Sequence, residues 1–442
     1  MKSKKYVFIV ILNFIFLQQY SFAQSYVAPI SIENLEQIWK ISLANNSNVK
    51  IFALQEKQSI QDLKVSKGMQ LPQIGLNFAG QDNLKLATTP VPGDLIGQPG
   101  KTVFLQFGKA YTYNAGLTIS QSIFDWQLKL QNQLVQESSK LLASQKDAFI
   151  QNLKAEIAKN YYSLLVAKAS LEIAVKDKQL ADSILKLTSK RLDQGLTDAS
   201  TVNLAQINLN NVFQNEMQSE ILVRQSSTNL HLLIGFPLET SLVFKESLDP
   251  ESVKGKLLTI SQPDKTLLTY RQSVLIAEMQ KKVKQASFLP KLYANGFTGS
   301  QQFRDNFGMG FNNGAWKNYR YIGVNLNWPI FTGFSKKATE NAAILDIQIA
   351  EEQYQKALTQ SAINDANLLE EYTSNFKMVE NSKSTFKLYA KNLDLARQKF
   401  EVGLITADIY CKQFEDYLHI ENSYLSQLSN FLLIEAVVLS RK

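Results

Sequence analysis

The 442-residue chain has one cysteine, Cys411, and two histidines, His231 and His419. A lone cysteine excludes an intramolecular disulfide. Neither histidine stands at ligand or triad spacing from Cys411, so the sequence offers no constellation for a metal centre or a nucleophilic enzyme, and no cofactor is expected. The stretch GDLIGQPGKT, residues 93–102, fails as a phosphate-binding loop because Leu95 stands where the first glycine is required. Ten prolines and nineteen glycines are few for this length, and 126–190 and 334–398 contain neither residue. Uninterrupted stretches of that kind predict long helices. After residue 24 nothing approaches the ~20 apolar residues of a spanning helix. The nearest run, NFLLIEAVVL at 430–439, is broken by Glu435. A bilayer crossing by this chain therefore requires a closed β-barrel, because an open sheet leaves backbone groups unpaired in hydrocarbon.

What is present begins with MKSKK, the apolar run YVFIVILNFIF and the small residues Ser21 and Ala23. This is the layout of a secretory signal peptide, expected over residues 1–23. Its loss removes Lys2, Lys4 and Lys5 and takes the formal net charge from +8 to 8 − 3 = +5. The remaining cations alternate with acids and form no patch, so no nucleic-acid partner is expected.

The chain repeats itself. LPQIGLNFAG at 71–80 corresponds to LPKLYANGFTG at 289–299, AGLTISQSIFDW at 115–126 to IGVNLNWPIFTG at 322–333, and RLDQGLTDA at 191–199 to KFEVGLITA at 399–407. A first repeat is expected over 24–235, with a β-hairpin near 73–122 and a helical hairpin over 126–235. A linker follows at 236–262. The second repeat, 263–442, has its β-hairpin near 291–331 and its helical hairpin over 333–441. The first copy has about eleven more residues between its strands, assigned to the TTPVPGDLIGQPGKT loop at 88–102. Each copy begins with a helical stretch, about 32–68 and 263–287. Pro72 and Pro290 mark where helix gives way to strand, and Phe124 and Phe331 mark the return to helix.

Tyr111, Tyr113, Ala115, Leu117 and Ile119 alternate with polar or small residues, as do Ile322, Val324, Leu326 and Trp328. One face suits lipid and the other water; aromatic clusters around 104–113 and 303–321 fit the headgroup level of an outer-membrane barrel. Tyr417, Tyr424, Leu428, Phe431 and Val438 recur at coiled-coil spacing. Four strands per chain cannot enclose a water-filled passage, since about eight are needed merely to fill a barrel with side chains. Two chains supply eight strands and three supply twelve, so a trimer is the expected pore.

In this order, and duplicated, the two Leu-Pro strand starts, the SIF and PIF strand ends, the paired Gly-Leu turns and LLIGFPLE closing the first half resemble the TolC-type outer-membrane efflux proteins. The resemblance covers essentially the whole mature chain. It implies a mainly α protein with a membrane β-barrel: a homotrimer with a twelve-stranded barrel in outer-membrane lipid and long helices forming an α-barrel in the periplasm. It also implies coupling through a periplasmic adaptor, or membrane fusion protein, to a proton-driven or ATP-driven inner-membrane pump for efflux or type I secretion. The Gly-Leu turns correspond to adaptor-docking tips: Arg191, Gly195, Leu196 and Thr197, and Lys399, Gly403, Leu404 and Thr406. The family's entrance acids are out of register here, by one position at Asp408 and three at Asp198, which are the candidates for an entrance constriction. A periplasmic coiled-coil adaptor or scaffold with a soluble β-domain is the alternative.

Overall fold

The computed structural model describes residues 29–252, 259–312 and 314–442. The expected signal peptide and part of the expected linker lie outside the described residues. In chain order the elements are β1 (Ile30–Ile32), α1 (Leu35–Asn45), α2 (Ser47–Gly68), β2 (Gln73–Asp82), β3 (Thr88–Pro92), β4 (Thr102–Gln106), β5 (Tyr111–Phe124), α3 (Trp126–Asp193), α4 (Ala199–Ile234), β6 (Leu242–Phe244), α5 (Thr266–Ala286), β7 (Lys291–Arg304), β8 (Lys317–Asn327), α6 (Ser335–Glu401) and α7 (Ala407–Ser440). The glycine- and proline-free stretches are single helices, α3 of 68 residues and α6 of 67. At 1.5 Å per residue each is on the order of 100 Å long. Their return helices also match, α4 with 36 residues and α7 with 34.

The described residues fall into two compact units that each draw on both repeats: 29–46, 156–252 and 376–433 form one, and 47–155, 259–312, 314–375 and 434–442 the other. In the first unit, Ala181 and Ile184 of α3, Ala205 and Val212 of α4, Phe400 of α6 and Cys411 and Phe414 of α7 form one buried cluster. Small residues let these helices approach, and rings fill the space between them. Phe400 stacks on Tyr410 with centroids 5.0 Å apart, and Phe386 on Tyr424 at 5.5 Å. Strands β1 and β6 pair in parallel.

The stretch expected as one helix over about 32–68 is instead divided at Asn46, whose ψ of 128° leaves the helical region. Asn46 Nδ2 donates to the Leu233 carbonyl at 2.8 Å, and Ser42 Oγ to the same oxygen at 2.7 Å. These bonds satisfy a carbonyl that the end of α4 leaves open. Gly235 follows with φ of 85°, as expected for the helix end in LLIGFPLE.

The second unit contains a four-stranded antiparallel sheet in the order β2-β5-β7-β8. Each hairpin pairs internally, and β5 pairs with β7 to join the two repeats. The loop expected at 88–102 is structured: β3 and β4 form a separate antiparallel ribbon, with a 3-10 turn at Gly93–Ile96. Pro90 and Pro92 fit there because a two-stranded ribbon leaves alternate N–H positions outside the ladder.

Candidate functional site: membrane sheet and helical tips

Register decides what the sheet offers to each side. Leu76 lies opposite Leu117, Ile74 opposite Ile119, and Phe78 opposite Ala115. Across the other strands Ile322 faces Gly296, Val324 faces Ala294, and Leu326 faces Leu292. Leu117 also lies opposite Thr298 and Ile119 opposite Gly296, so all these residues belong to one face. That face is uncovered along most of its length, with Leu76 83% exposed and Ile322 91%, whereas Tyr113, expected on the same face, is buried at the end that the β7–β8 loop covers. The β7 residues that make a weak strand pattern, Leu292, Ala294 and Gly296, thus lie on this face beside Leu326, Val324 and Ile322 of β8.

The other face carries Asn77, Asn114, Thr118, Asn295 and Asn325. It also carries three rings in mutual contact, Phe297, Tyr319 and Tyr321, with centroids 5.6 to 6.2 Å apart. Phe297 lies over Gly116 and Gly299, where a side chain could not fit beneath the ring. Period-two reading missed this cluster because its members interrupt a polar alternation.

The sheet has two open edges. Strand β2 hydrogen-bonds only to β5, and β8 only to β7, among the described strands. Beyond one end of the sheet the β7–β8 loop is tied down by side chains. The Gln302 amide exchanges hydrogen bonds with Gly310 at 2.8 and 2.9 Å, Trp316 Nε1 donates to the Gly310 carbonyl at 2.9 Å, and the Gly308 N–H donates to the Tyr113 hydroxyl at 3.0 Å.

Pro72 and Pro290 stand immediately before β2 and β7, and Phe124 is the last residue of β5. Phe331 falls beyond β8, which ends at Asn327, and packs edge-on against Phe334 at 5.5 Å.

At the tips the two repeats use the same turn. Leu196 N–H donates to the Arg191 carbonyl at 2.8 Å and Gly195 to Leu192 at 2.9 Å; Leu404 donates to Lys399 at 2.8 Å and Gly403 to Phe400 at 3.1 Å. This paired pattern is the Schellman closure, which requires a left-handed residue. Gly195 and Gly403 supply it, with φ of 73° and 78°. The closure leaves Leu196 70% and Leu404 74% exposed. Asp198 starts α4 by accepting from Thr201 N–H at 2.8 Å, and that hydrogen bond holds its carboxyl below the usual range. The Thr406 carbonyl accepts from Tyr410 N–H at 3.2 Å in the first turn of α7, where Asp408 is exposed.

Sequence reasoning missed the link between the tips. Arg191 Nη2 donates to the Phe400 carbonyl at 3.0 Å, and its guanidinium lies 3.8 Å from the Phe400 ring centre. Lys399 lines a groove of about 580 Å³ along the second hairpin with Leu388, Tyr389, Asn392, Ile405 and Asp416. Among the described residues no group of three or more His, Cys, Asp or Glu could hold a metal ion, and no helix is long and apolar enough to cross a membrane.

An uncovered apolar sheet face, opposed by a polar one and continued by helices of nearly seventy residues, defines a class: barrel-forming membrane proteins with long helical arms. The sequence matches the family described as "Outer membrane efflux protein" over residues 39–236 and 260–408, and the chain belongs to that family. It is 24% identical over 308 residues to the outer membrane protein TolC of Vibrio cholerae, a match spanning 68% of this chain and 66%, just under two thirds, of that protein. The fold is similar to that of the Campylobacter jejuni CmeC outer membrane channel, with a TM-score of 0.74 at 14% identity over 92% of this chain and 85% of that one. It is also similar to the open state of the Neisseria gonorrhoeae MtrE outer membrane channel, with a TM-score of 0.69 at 18% identity over 92% and 88% of the two chains. The protein is thus an outer-membrane protein with a periplasmic helical extension, in a family of channels rather than enzymes.

Proposed function

We propose that three copies of the chain form a passive conduit from periplasm to exterior, in which each sheet contributes four strands to a shared barrel of 3 × 4 = 12. The observation that carries this reading is the combination of an exposed apolar face with open edges at β2 and β8. Unpaired edges are untenable in hydrocarbon, and pairing β2 of one copy with β8 of the next removes both. A soluble scaffold has no use for such a face. The two structural repeats, 24–235 and 263–442, then each supply one β-hairpin and one helical hairpin to the subunit, joined through 236–262.

The conduit needs an energy source elsewhere. In our reading a periplasmic adaptor docks on the Gly-Leu tips and couples the channel to a proton-driven or ATP-driven inner-membrane pump, for efflux or type I secretion. Exposed Leu196 and Leu404 offer apolar knobs, and the groove beside Lys399 offers an adjoining surface. Exposed Asp408 is the better placed of the two acids to contribute to an entrance constriction, because Asp198 is engaged in capping α4. The test is planar-bilayer conductance of protein purified from outer membranes, together with transport by Leu196→Asp/Leu404→Asp cells. Discrete channels, and transport lost while the oligomer persists, support the reading. Absence of conductance overturns the conduit, and unimpaired transport overturns the docking tips.

A further inference from the structure

In the first unit, the seam between α3 and α7 presses two carboxyl groups together. Asp177 is 7% exposed and Glu421 4%, and both line the same two cavities along the seam, where each carboxyl acts on the titration of the other. An ionised carboxylate has only acceptors, so two buried carboxyls side by side can bond to each other only when one of them carries a proton. Tyr417, one turn before Glu421, donates its hydroxyl to Glu421 Oε1 at 2.7 Å.

The surroundings supply little compensating positive charge. Lys176, next to Asp177, is paired with Glu172 at 2.8 Å and weakly favours the Asp177 anion. Lys178 pairs with Glu216 of α4 at 2.5 Å, and Lys387 of α6 reaches Glu251 at 3.7 Å. Beside the pair is a cavity of about 420 Å³, to which the chain after β6 contributes Asp249 and Glu251, α3 Glu172, α6 Phe386 and α7 Tyr424. Behind it α4 presents the uncharged Val212, Asn215 and Ser219. Both carboxyls lie at matched positions along their hairpins, since 195 − 177 and 421 − 403 are each 18 residues from the tip glycine.

We propose that Asp177 and Glu421 form a proton-held clasp between the helical hairpins of the two repeats, closed while the pair retains one proton and loosened when alkaline medium removes it. Ionising both would place two like charges on neighbouring groups that are almost wholly buried, which is unfavourable. Burial first, and the adjoining Asp177 carboxyl second, push Glu421 up to about 9, and burial raises Asp177 as well. The sign follows from linkage. The folded chain keeps a proton that the unfolded chain releases near the ordinary 4.5 of a glutamate. The clasp therefore contributes fully below that pH, weakens as pH rises, and is lost once pH passes the raised folded value.

Hydrogen–deuterium exchange on the intact full-length protein in detergent tests this, with rates expressed as protection factors so that intrinsic pH dependence cancels. The segments to follow are the part of α3 around Asp177 and the part of α7 around Glu421, at about pH 7 and about pH 10. In the unmodified protein, protection is expected to fall by roughly tenfold or more at the higher pH. In Glu421→Gln it should not fall, because the amide donates to Asp177 at every pH. Asp177→Asn serves as the second variant if the first does not assemble. Unchanged protection in the unmodified protein overturns the clasp, as does an equal alkaline loss in whichever amide variant assembles. The readout lies within one chain, so it does not depend on conduction or adaptor docking.

Discussion

Three glycines with similar backbone angles have unequal surroundings, and substitution separates them. Gly195 and Gly403 have open space where a Cβ would go, whereas a Cβ on Gly235 would stand 2.7 Å from the Asn45 carbonyl oxygen. Gly195→Ala incurs only the left-handed strain, roughly 1 kcal/mol. Gly235→Ala adds a clash with backbone that the Asn46 and Ser42 hydrogen bonds hold in place, and should cost on the order of 3 kcal/mol. Denaturant unfolding of the purified protein checks the order; equal losses would contradict it. Arg191 is a second case. Its guanidinium both stacks on Phe400 and satisfies that residue's carbonyl, so Arg191→Ala should lose about 1–2 kcal/mol. Arg191→Lys should not restore it, because an ammonium cannot stack flat while donating sideways. Full rescue by lysine in the same unfolding assay would show that charge alone matters.

The sheet and the hairpins make separate demands on sequence. On the apolar face, Ile322→Arg places a charge where lipid is expected and should cost about 2–4 kcal/mol near the bilayer midplane, lowering the folded yield in outer membranes. Asn325→Arg, on the opposite face of the same strand, should leave that yield intact and shift single-channel selectivity toward anions. Equal effects at the two sites would mean that the faces are misassigned. Strand alternation, the long helices and the Gly-Leu turns were legible in the sequence because each depends on residues only a few positions apart. The break at Asn46, the β5–β7 pairing, the Arg191–Phe400 contact and the Asp177–Glu421 pair were not. Each depends on partners more than 150 residues away, for which one sequence carries no signal. The β3–β4 ribbon was hidden for a different reason: Pro90, Pro92 and Gly93 carry a turn signature that outweighed short paired segments such as Val91 opposite Val103.

For the molecule as a whole, duplication and the proposed oligomerisation address one geometric shortage. A single repeat supplies two main strands and a single chain supplies four, yet both outer strands remain open. In the proposed trimer, joining the repeats through β5 and β7 fixes each subunit's share of the wall, and the edges left open at β2 and β8 are closed by other copies. The apolar face allows closure in lipid, and the matched helical hairpins give each subunit two arms with equivalent tips. The number of chains in the closed particle is therefore the quantity on which the account turns. Native mass spectrometry of protein extracted from outer membranes in mild detergent measures it most directly. Three chains per particle is the expected result, and a particle of one or two chains would contradict the shared twelve-stranded barrel.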